Sequence, residues 1–402
     1  MTLLHRVPRR LIQLTCFLGA IVLVWPLVPW VMAPRFFQQI SPFVAISSSI
    51  AKRSIDVGAA LALVVAIVSS FKKRWFCLYL CPTGFLLENT NHAGLRRTRW
   101  WSKLPPVGRY VAILTIVGAI AGYPVLMWMD PLCIFSSPFA MNKATSLMSV
   151  ILVSLGLGVL VGGTFVFGMA WCVRICPLSG LQDMLFAMRK ALWTRLAAKA
   201  TSQSSGMARR LFFAGAGGAV LALWARRAGA ARYRKSDTLL RPPGAVPEDR
   251  FAGLCIRCNN CVHACPSKII LPDTGHEAGL AGFGAPVIQY KKDYKYCLET
   301  CNDCTQVCPT GALTPLSLDH KNKYIIGEAL VDNNVCLTAL GKKECDACEH
   351  ACPYDAVKIT WDEAQYNAYP VVNDKCVGCG ACEVVCPTSP VRAIRIWTQK
   401  PA

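Results

Sequence analysis

The hydrophobic positions in the front part of the chain are gathered into five apolar stretches, which basic and polar segments separate. They lie at about residues 11–32, 57–71, 110–129, 147–170 and 211–225. The first four approach the roughly 20 apolar residues that a membrane-spanning helix needs, whereas the fifth is shorter and rich in Gly and Ala. The pattern predicts an α-helical membrane domain with four to five transmembrane helices.

The charges divide the chain in the same place. Residues 1–236 contain 27 Lys and Arg against 4 Asp and Glu, whereas residues 237–402 contain 16 against 19. A basic, apolar half is typical of membrane helices with basic cytoplasmic loops. It has no basic stripe with interleaved aromatic residues, so we expect no nucleic-acid partner.

The basic residues are concentrated after the second and fourth apolar stretches, which places both loops and the N-terminus in the cytoplasm. A fifth crossing would put residues 237–402 outside it, although the basic residues of 226–235 argue against this. The expected location is therefore the bacterial inner (cytoplasmic) membrane, as a multi-pass protein with its C-terminal part on the periplasmic side.

Three domains are predicted. Residues 1–199 form the membrane domain, 200–236 a linker with a membrane anchor, and 237–402 a cysteine-rich domain. The linker begins with small polar residues and continues with Arg209-Arg210 before an apolar run, which resembles a twin-arginine export signal. The alternative is a basic flank on an ordinary membrane helix.

Four cysteine motifs account for 16 of the 22 cysteines. The C-x2-C-x2-C-x3-C-P pattern is the bacterial [4Fe–4S] ferredoxin signature, and thiolates are the soft ligands that such clusters take. Zinc sites favour two separated pairs, and disulfides would not favour repeats that end in Cys-Pro. The sequence therefore predicts four [4Fe–4S] clusters, and the sixteen ligands lie in four motifs: Cys255, Cys258, Cys261 and Cys265; Cys297, Cys301, Cys304 and Cys308; Cys336, Cys345, Cys348 and Cys352; Cys376, Cys379, Cys382 and Cys386.

Within each motif, three cysteines bind one cluster and the fourth, before proline, serves a neighbouring cluster. The motifs must therefore pair. We expect an α+β polyferredoxin domain of paired bacterial-ferredoxin-like modules, and four clusters in one domain are suited to moving electrons between two partners.

Two further cysteine pairs lie in the front half, Cys77/Cys81 and Cys172/Cys176, each followed by proline. An i, i+4 pair lies on one face of a helix, so the two pairs could supply four thiolates to one further metal centre. Redox-active dithiols and plain reduced cysteines are the alternatives. Cys16 and Cys133 lie singly in apolar surroundings, which is typical of small buried residues.

The front half, with its CLYLCP and CVRICP segments, resembles NapH, a membrane quinol dehydrogenase component, and the membrane part of NosR-type regulators. The back half resembles NapG, a four-cluster ferredoxin. The features that carry this second resemblance are the twin arginines, residues 240–244 (LRPPG), Phe251, the first cysteine motif and the eight-residue gap after Cys336. NapH-type proteins carry ferredoxin motifs of their own after the fourth helix, and none occurs between Cys176 and Cys255.

The resemblance implies a quinol dehydrogenase, or an electron-transfer subunit of a larger oxidoreductase, that receives electrons from the quinone pool. Its acceptor would be a periplasmic reductase or c-type cytochrome. No catalytic residue is assigned, although Asp56, Glu88, His92 and Asp130 are candidates to accept protons from quinol. The chain has no CxxCH motif, so any haem belongs to a partner. A maturation factor that supplies electrons, and a cytoplasmic polyferredoxin subunit of a dehydrogenase, are the alternatives.

The resemblance also implies how the motifs pair: first with fourth, and second with third. Cys386 would then complete the first cluster and Cys265 the fourth. Cys352 would complete the second cluster and Cys308 the third. Pairing of adjacent motifs is the rival arrangement.

Overall fold

A computed structural model of the chain describes residues 3–24, 33–94, 104–140, 147–197, 205–235, 237–290, 295–363 and 367–398. The front half of these residues is helical. Its helices are α1 (Leu3–Val24), α2 (Ala33–Gln39), α3 (Pro42–Lys52), α4 (Ala59–Phe71), α5 (Trp75–Tyr79), α6 (Pro82–Ala93), α7 (Val107–Ile120), α8 (Pro131–Ser136), α9 (Leu147–Phe167), α10 (Pro177–Ala197) and α11 (Ser205–Lys235).

Among the described residues, no helix combines the length and the apolar character that a membrane crossing requires. The predicted membrane domain and the predicted multi-pass location in the inner membrane are therefore wrong. Two of the expected spans are short because the chain turns early: α4 has 13 residues and α7 has 14. Gly122 ends the second of these, with a positive φ of 80° that residues other than glycine rarely adopt.

The first apolar stretch also differs from a lipid-facing helix. Arg9 and Gln13 on α1 both donate hydrogen bonds to the carbonyl oxygen of Leu78 and to the carboxylate of Glu88. Polar side chains on this helix are thus satisfied by α5 and α6.

Helices α7 and α10 cross very closely where α10 begins. A Cβ at Gly180 would lie 2.3 Å from the backbone carbon of Gly108, and a Cβ at Gly108 would lie 2.3 Å from the carbonyl oxygen of Cys176. Because only glycine permits this approach, the two residues fix the position of the Cys176-Pro177 segment.

The back half has short elements. Its helices are α12 (Glu248–Leu254), α13 (Asn260–Ala264), α14 (Gly279–Gly282), α15 (Asp303–Gln306), α16 (Leu318–Asn322), α17 (Ala347–His350) and α18 (Ala381–Val385). Its strands are β1 (Ile270–Pro272), β2 (Pro286–Ile288), β3 (Glu328–Val331), β4 (Val357–Asp362), β5 (Asn367–Val372) and β6 (Ile394–Trp397).

These strands form two-stranded antiparallel sheets that organise two modules. Strand β1 pairs with β2 between the first and second cysteine motifs, in the register Ile270↔Ile288. Strand β4 pairs with β5 between the third and fourth motifs, and β3 pairs with β6 around them. Each hairpin returns the chain, so it brings two consecutive motifs together. The predicted ferredoxin-like modules are confirmed.

The two halves of the chain contact each other through side chains. Gln38 of α2 bonds Asn260, with 3.2 Å between its Oε1 and the amide nitrogen of the asparagine. Gln39 donates to the carbonyl oxygen of Pro309 at 3.1 Å. The contact therefore joins the end of α2 to the first two cysteine motifs.

Candidate iron–sulfur centres

The first centre lies in a small cavity of the first module. Its walls include Cys255, Cys258 and Cys261 from the first motif and Cys308 from the second. The backbone N–H of Leu313 donates to the Cys308 sulfur at 3.4 Å. Four thiols thus surround one space, three from one motif and one from the next.

A second cavity repeats this arrangement in the other module. It is lined by Cys336, Cys345 and Cys348 of the third motif and by Cys386 of the fourth. Thr388 lies 3.2 Å from the Cys386 sulfur through its hydroxyl. Burial tends to raise the pKa of Cys386, but hydrogen bonds from Thr388, Ala393 and Ile394 lower it below the ordinary value.

In the remaining two groups, the cysteines whose charges raise one another's pKa are those that lie near each other. Burial, and then the charges of Cys297, Cys265 and Cys301, raise the pKa of Cys304. The first motif thus supplies a thiol to the second group. In the other module, burial is the largest cause that raises the pKa of Cys382. The charges of Cys379 and Cys376 come next, followed by those of Cys348 and Cys352.

The two cavities bring cysteines of adjacent motifs together, which favours the pairing of adjacent motifs over the pairing of the first motif with the fourth that the resemblance implied. Cys308 completes the first group where Cys386 was expected, and Cys352 lies by the fourth group where Cys265 was expected. The physical reason is the pair of hairpins β1–β2 and β4–β5, which fold each motif back on its successor.

The residues fit [4Fe–4S] clusters. Among the described residues, no three His, Cys, Asp or Glu side chains are close enough to hold a single metal ion. The thiols instead stand around cavities, as a four-iron cube requires. Gly378 and Gly380 in the fourth motif have φ of 71° and 85°, and a Cβ at Gly378 would lie 2.4 Å from the carbonyl oxygen of Gly327. Small residues are thus required beside these thiols.

The front-half cysteines also come together. Burial raises the pKa of Cys77, and the charges of Cys81 and Cys176 raise it further. Burial also raises the pKa of Cys172, and the charges of Cys81 and Cys77 add to this effect. Cys81 precedes α6 and its sulfur accepts from the backbone N–H of Gly84 at 3.3 Å. Burial raises the pKa of Cys81 to about 11. The four thiols therefore form one group, in which Cys81 and Cys176 are buried and Cys77 and Cys172 are partly buried.

Local sequence explains this placement. Both CxxxCP segments end one helical turn and begin the next helix, because Pro82 and Pro177 take the first helical position, where a missing N–H costs nothing. Before the second, residues Trp171–Ile175 form a π-helical turn. Each pair thus spans a break between helices, and the second cysteine caps the helix that follows.

A charged side chain accompanies the front group. Arg74 binds Asp183 through two hydrogen bonds of 2.9 and 2.5 Å. Burial tends to lower the pKa of Arg74, but Asp183, Cys77 and Cys176 raise it above the ordinary value. Gln182 donates to the Cys77 sulfur at 3.1 Å. Sequence reasoning missed Arg74 and Gln182, because neither belongs to a motif.

The five groups follow one another through the molecule. Cys81 and Cys176 share a buried cluster of side chains with Cys258 of the first centre. The pKa of Cys261 is raised first by burial and then by the charges of the other cysteines of the first centre. The charge of Cys304, in the second group, also raises it, so the two groups are neighbours. The backbone N–H of Cys297 donates to the carbonyl oxygen of Cys379 at 2.9 Å, which joins the two modules.

The candidate proton acceptors occupy different positions. Asp130 is fully buried, and its carboxylate accepts from the Ser41 hydroxyl at 2.5 Å and from the backbone N–H of Leu132 at 2.9 Å. Burial raises its pKa to about 6. Glu88 binds Arg9, and Asp56 pairs with Lys52 and Arg35. No described hydrogen bond or ion pair links any of these carboxylates to a cysteine of the modules.

The isolated cysteines differ from each other. Cys133 is buried, and after burial and Asp130, the charges of Cys258 and Cys255 raise its pKa. It therefore lies between the front half and the first centre. Cys16 is only partly buried.

Two family profiles match the chain. The 4Fe-4S dicluster domain matches residues 254–312, which contain the first two motifs, and residues 343–389, which contain the last two motifs apart from Cys336. The 4Fe-4S binding domain matches residues 57–101 and 150–195, which contain the two CxxxCP segments. The chain therefore binds multiple [4Fe–4S] clusters.

Curated relatives are similar to the back half. The methylamine utilization ferredoxin-type protein MauM of Methylophilus methylotrophus is 36% identical over 172 residues, which are 41% of this chain and 73% of the relative. The ferredoxin-type protein NapG of Escherichia coli is 38% identical over 168 residues, 38% of this chain and 68% of the relative. The ferredoxin-type protein NapF of Escherichia coli is 30% identical over 165 residues and 88% of its length. No solved structure matches.

The cysteine-lined cavities and these relatives indicate the same class of protein. The chain belongs to the family of ferredoxin-type iron–sulfur electron-transfer proteins that includes NapG and MauM.

Proposed function

We propose that the protein carries electrons from a quinol to a periplasmic reductase or c-type cytochrome, through a line of five cysteine-bound centres. Two observations support this most directly: Cys81, Cys176 and Cys258 belong to one buried cluster of side chains, and the backbone N–H of Cys297 donates to the carbonyl oxygen of Cys379. A [4Fe–4S] cluster supplies one-electron redox chemistry when bound.

The ligands follow from the grouping. Four thiols would hold each of the module clusters: Cys255, Cys258, Cys261 and Cys308; Cys297, Cys301, Cys304 and Cys265; Cys376, Cys379, Cys382 and Cys352; Cys336, Cys345, Cys348 and Cys386. Cys77, Cys81, Cys172 and Cys176 would hold the front centre. The match of the front half to a 4Fe-4S binding domain supports this over free dithiols.

The chain's own residues shape both ends of this line. Arg74 places a positive charge beside the front thiolates, which favours the negatively charged ligand set. At the opposite end, Cys336, Cys345 and Cys348 are only partly buried, so that centre is accessible to an acceptor. We therefore assign electron entry to the front group, beside Arg74, and electron exit to the last group.

The front centre is tested by iron content. The double variant Cys81→Ala/Cys176→Ala should lose roughly four iron atoms per chain and keep those of the modules. Cys16→Ala is the matched control, because Cys16 belongs to no group. Equal iron in the double variant and the wild type would remove the front centre from the proposal.

The electron path is tested by stopped-flow absorbance. Menadiol should reduce the clusters of the purified protein, and a c-type cytochrome should reoxidise them. Dithionite reduction serves as the control for intact clusters. Clusters that dithionite reduces but menadiol does not would contradict the quinol donor.

A further inference from the structure

An apolar cavity of about 610 Å³ lies where the two halves of the chain meet. Trp128 precedes α8, Leu155 belongs to α9 and Trp224 belongs to α11, while Arg257 and Asn259 come from the first cysteine motif. The cavity is therefore built by helices of the front half on one side and by a cluster-binding loop on the other.

The cavity adjoins the first iron–sulfur centre. Ile256, Arg257 and Asn259 line it, and the same three residues line the cavity that holds Cys255, Cys258, Cys261 and Cys308. Only the loop of the first motif separates the two spaces. A molecule in the apolar cavity would thus lie one layer of residues from the first centre.

Two buried polar atoms on the wall have no partner among the described residues. Asn259 is 3% exposed, and its side-chain nitrogen donates to the Ser137 hydroxyl at 3.2 Å, but its Oδ1 accepts nothing. The indole N–H of Trp171 is also buried and donates to nothing. Because a buried polar atom without a partner is costly, the pair indicates a ligand that both donates and accepts.

Asn259 is held in place by its surroundings. It has a left-handed backbone, with φ of 60°, and its neighbour Arg257 donates through Nε to the carbonyl oxygen of Phe283 at 2.7 Å. The Arg257 guanidinium also lies 5.4 Å from the ring centre of Trp128. The loop is thus fixed against the aromatic wall.

The outer rim of the cavity is apolar and exposed. Leu155 is 53% exposed, Val159 61% and Trp224 67%. A ligand with a ring inside and an aliphatic tail outside would cover these side chains and gain roughly 25 cal/mol for each Å² of apolar surface removed from water.

We propose that this cavity binds the quinol, with its ring between the aromatic side chains and one hydroxyl donating to Asn259 Oδ1. The inference rests on the quinol donor of the proposed function and adds the place where it binds. Oxidation of one quinol to quinone breaks two O–H bonds and releases two protons to solvent at the open rim. The two electrons pass to two oxidised clusters, one to each.

The test measures binding of menadione to the intact, cluster-loaded protein by calorimetry. Gly156 lines the cavity on α9, and a Cβ there would lie 3.7 Å from Ile134 Cγ2, another lining residue. Gly156→Trp should therefore fill the cavity and weaken binding at least tenfold. Gly158→Trp is the matched control on the same helix, because a Cβ at Gly158 meets nothing within 4 Å and Gly158 does not line the cavity.

A second variant tests the hydrogen bond. Asn259→Gly removes the acceptor and keeps the left-handed backbone, and we expect menadiol to bind about five- to tenfold more weakly. Iron content and the EPR spectrum of the reduced clusters should match the wild type in all three variants.

The possible outcomes distinguish failure of the cavity as the binding site from failure of quinol as the electron donor. Wild-type affinity in Gly156→Trp would overturn the cavity as the binding site, even if menadiol still reduces the clusters. Wild-type affinity in Asn259→Gly would overturn the assigned hydrogen bond. If menadione binds and Gly156→Trp abolishes binding, but menadiol never reduces the clusters, the cavity stands and the quinol donor fails.

Discussion

The two halves of the chain build their cysteine centres in different ways. In the front half, four thiols come from breaks between helices, and close helix crossings at Gly108 and Gly180 hold them. In the back half, the thiols come from loops, and short helices and two-stranded hairpins connect these loops.

The two halves also differ in the composition of their buried cores. Cysteines of the back half are part of its main buried cluster, together with Phe251, Leu254 and Ile270. The elements around them are three to seven residues long, too short to be stable alone. The front half relies on longer helices. We therefore expect cluster loss to damage the back half more than the front half.

The largest expected effect tests the pairing in the back half. Under adjacent pairing, Cys258→Ala/Cys308→Ala removes two ligands of one cluster, so roughly four iron atoms should be lost. Cys258→Ala/Cys386→Ala removes ligands of two clusters, so roughly eight should be lost. Iron analysis with quantitative EPR distinguishes them, and the reverse order of the two losses would contradict the hairpin argument.

Ion pairs offer the next contrast. Arg241 and Glu248 in the back half are each only 7% exposed, whereas Arg226 of α11 and its partner Asp249 are 35% and 27% exposed. Arg241→Met leaves a buried carboxylate unpaired and should lower the free energy of unfolding by about 4 kcal/mol. Arg226→Met should lower it by about 1 kcal/mol or less. Denaturant titration measures the free energy of unfolding of both variants. Equal losses would show that burial does not determine how much an ion pair contributes to stability.

In the front half, the buried carboxylate of Asp130 should make the stability of the protein depend on pH. Burial raises the pKa of Asp130 from 3.8 to about 6, so its contribution to stability is present below the unfolded value and is lost as pH rises through 6. The full loss is about 3 kcal/mol. Asp130→Asn should flatten this fall in the thermal midpoint, which for the wild type lies between about pH 4 and pH 6. An unchanged pH dependence in the variant would mean that another group is responsible.

The smallest effect concerns crowding beside the thiols. Gly378 and Gly341 both have positive φ, 71° and 64°, but only a Cβ at Gly378 meets the backbone of Gly327. Gly341→Ala should cost about 1 kcal/mol from backbone strain alone. Gly378→Ala should cost about 2 kcal/mol more, because packed backbone must move. Thermal loss of the cluster absorbance compares them, and equal midpoints would exclude crowding.

The features that could be predicted best from the sequence are those that depend on the spacing of cysteines. The four motifs, the two CxxxCP pairs and the ferredoxin-like modules were predictable because cluster ligands recur at fixed intervals. Prediction was weakest for the apolar stretches. Their composition indicated membrane spans, but α4 and α7 end after 13 and 14 residues. Hydrophobicity alone does not show where a helix stops.

The sequence by itself determined which side chains can bind iron, because thiols and their spacing are local properties. Only the tertiary structure decided how they group, since the hairpins β1–β2 and β4–β5 place Cys308 beside Cys258 across 50 residues of chain. The same holds for Arg74 and Gln182, which belong to no motif, and for Asn259, which lies inside the first motif but is not one of its cysteines. Their roles arise from contacts between distant segments, and such contacts depend on packing that no local pattern encodes.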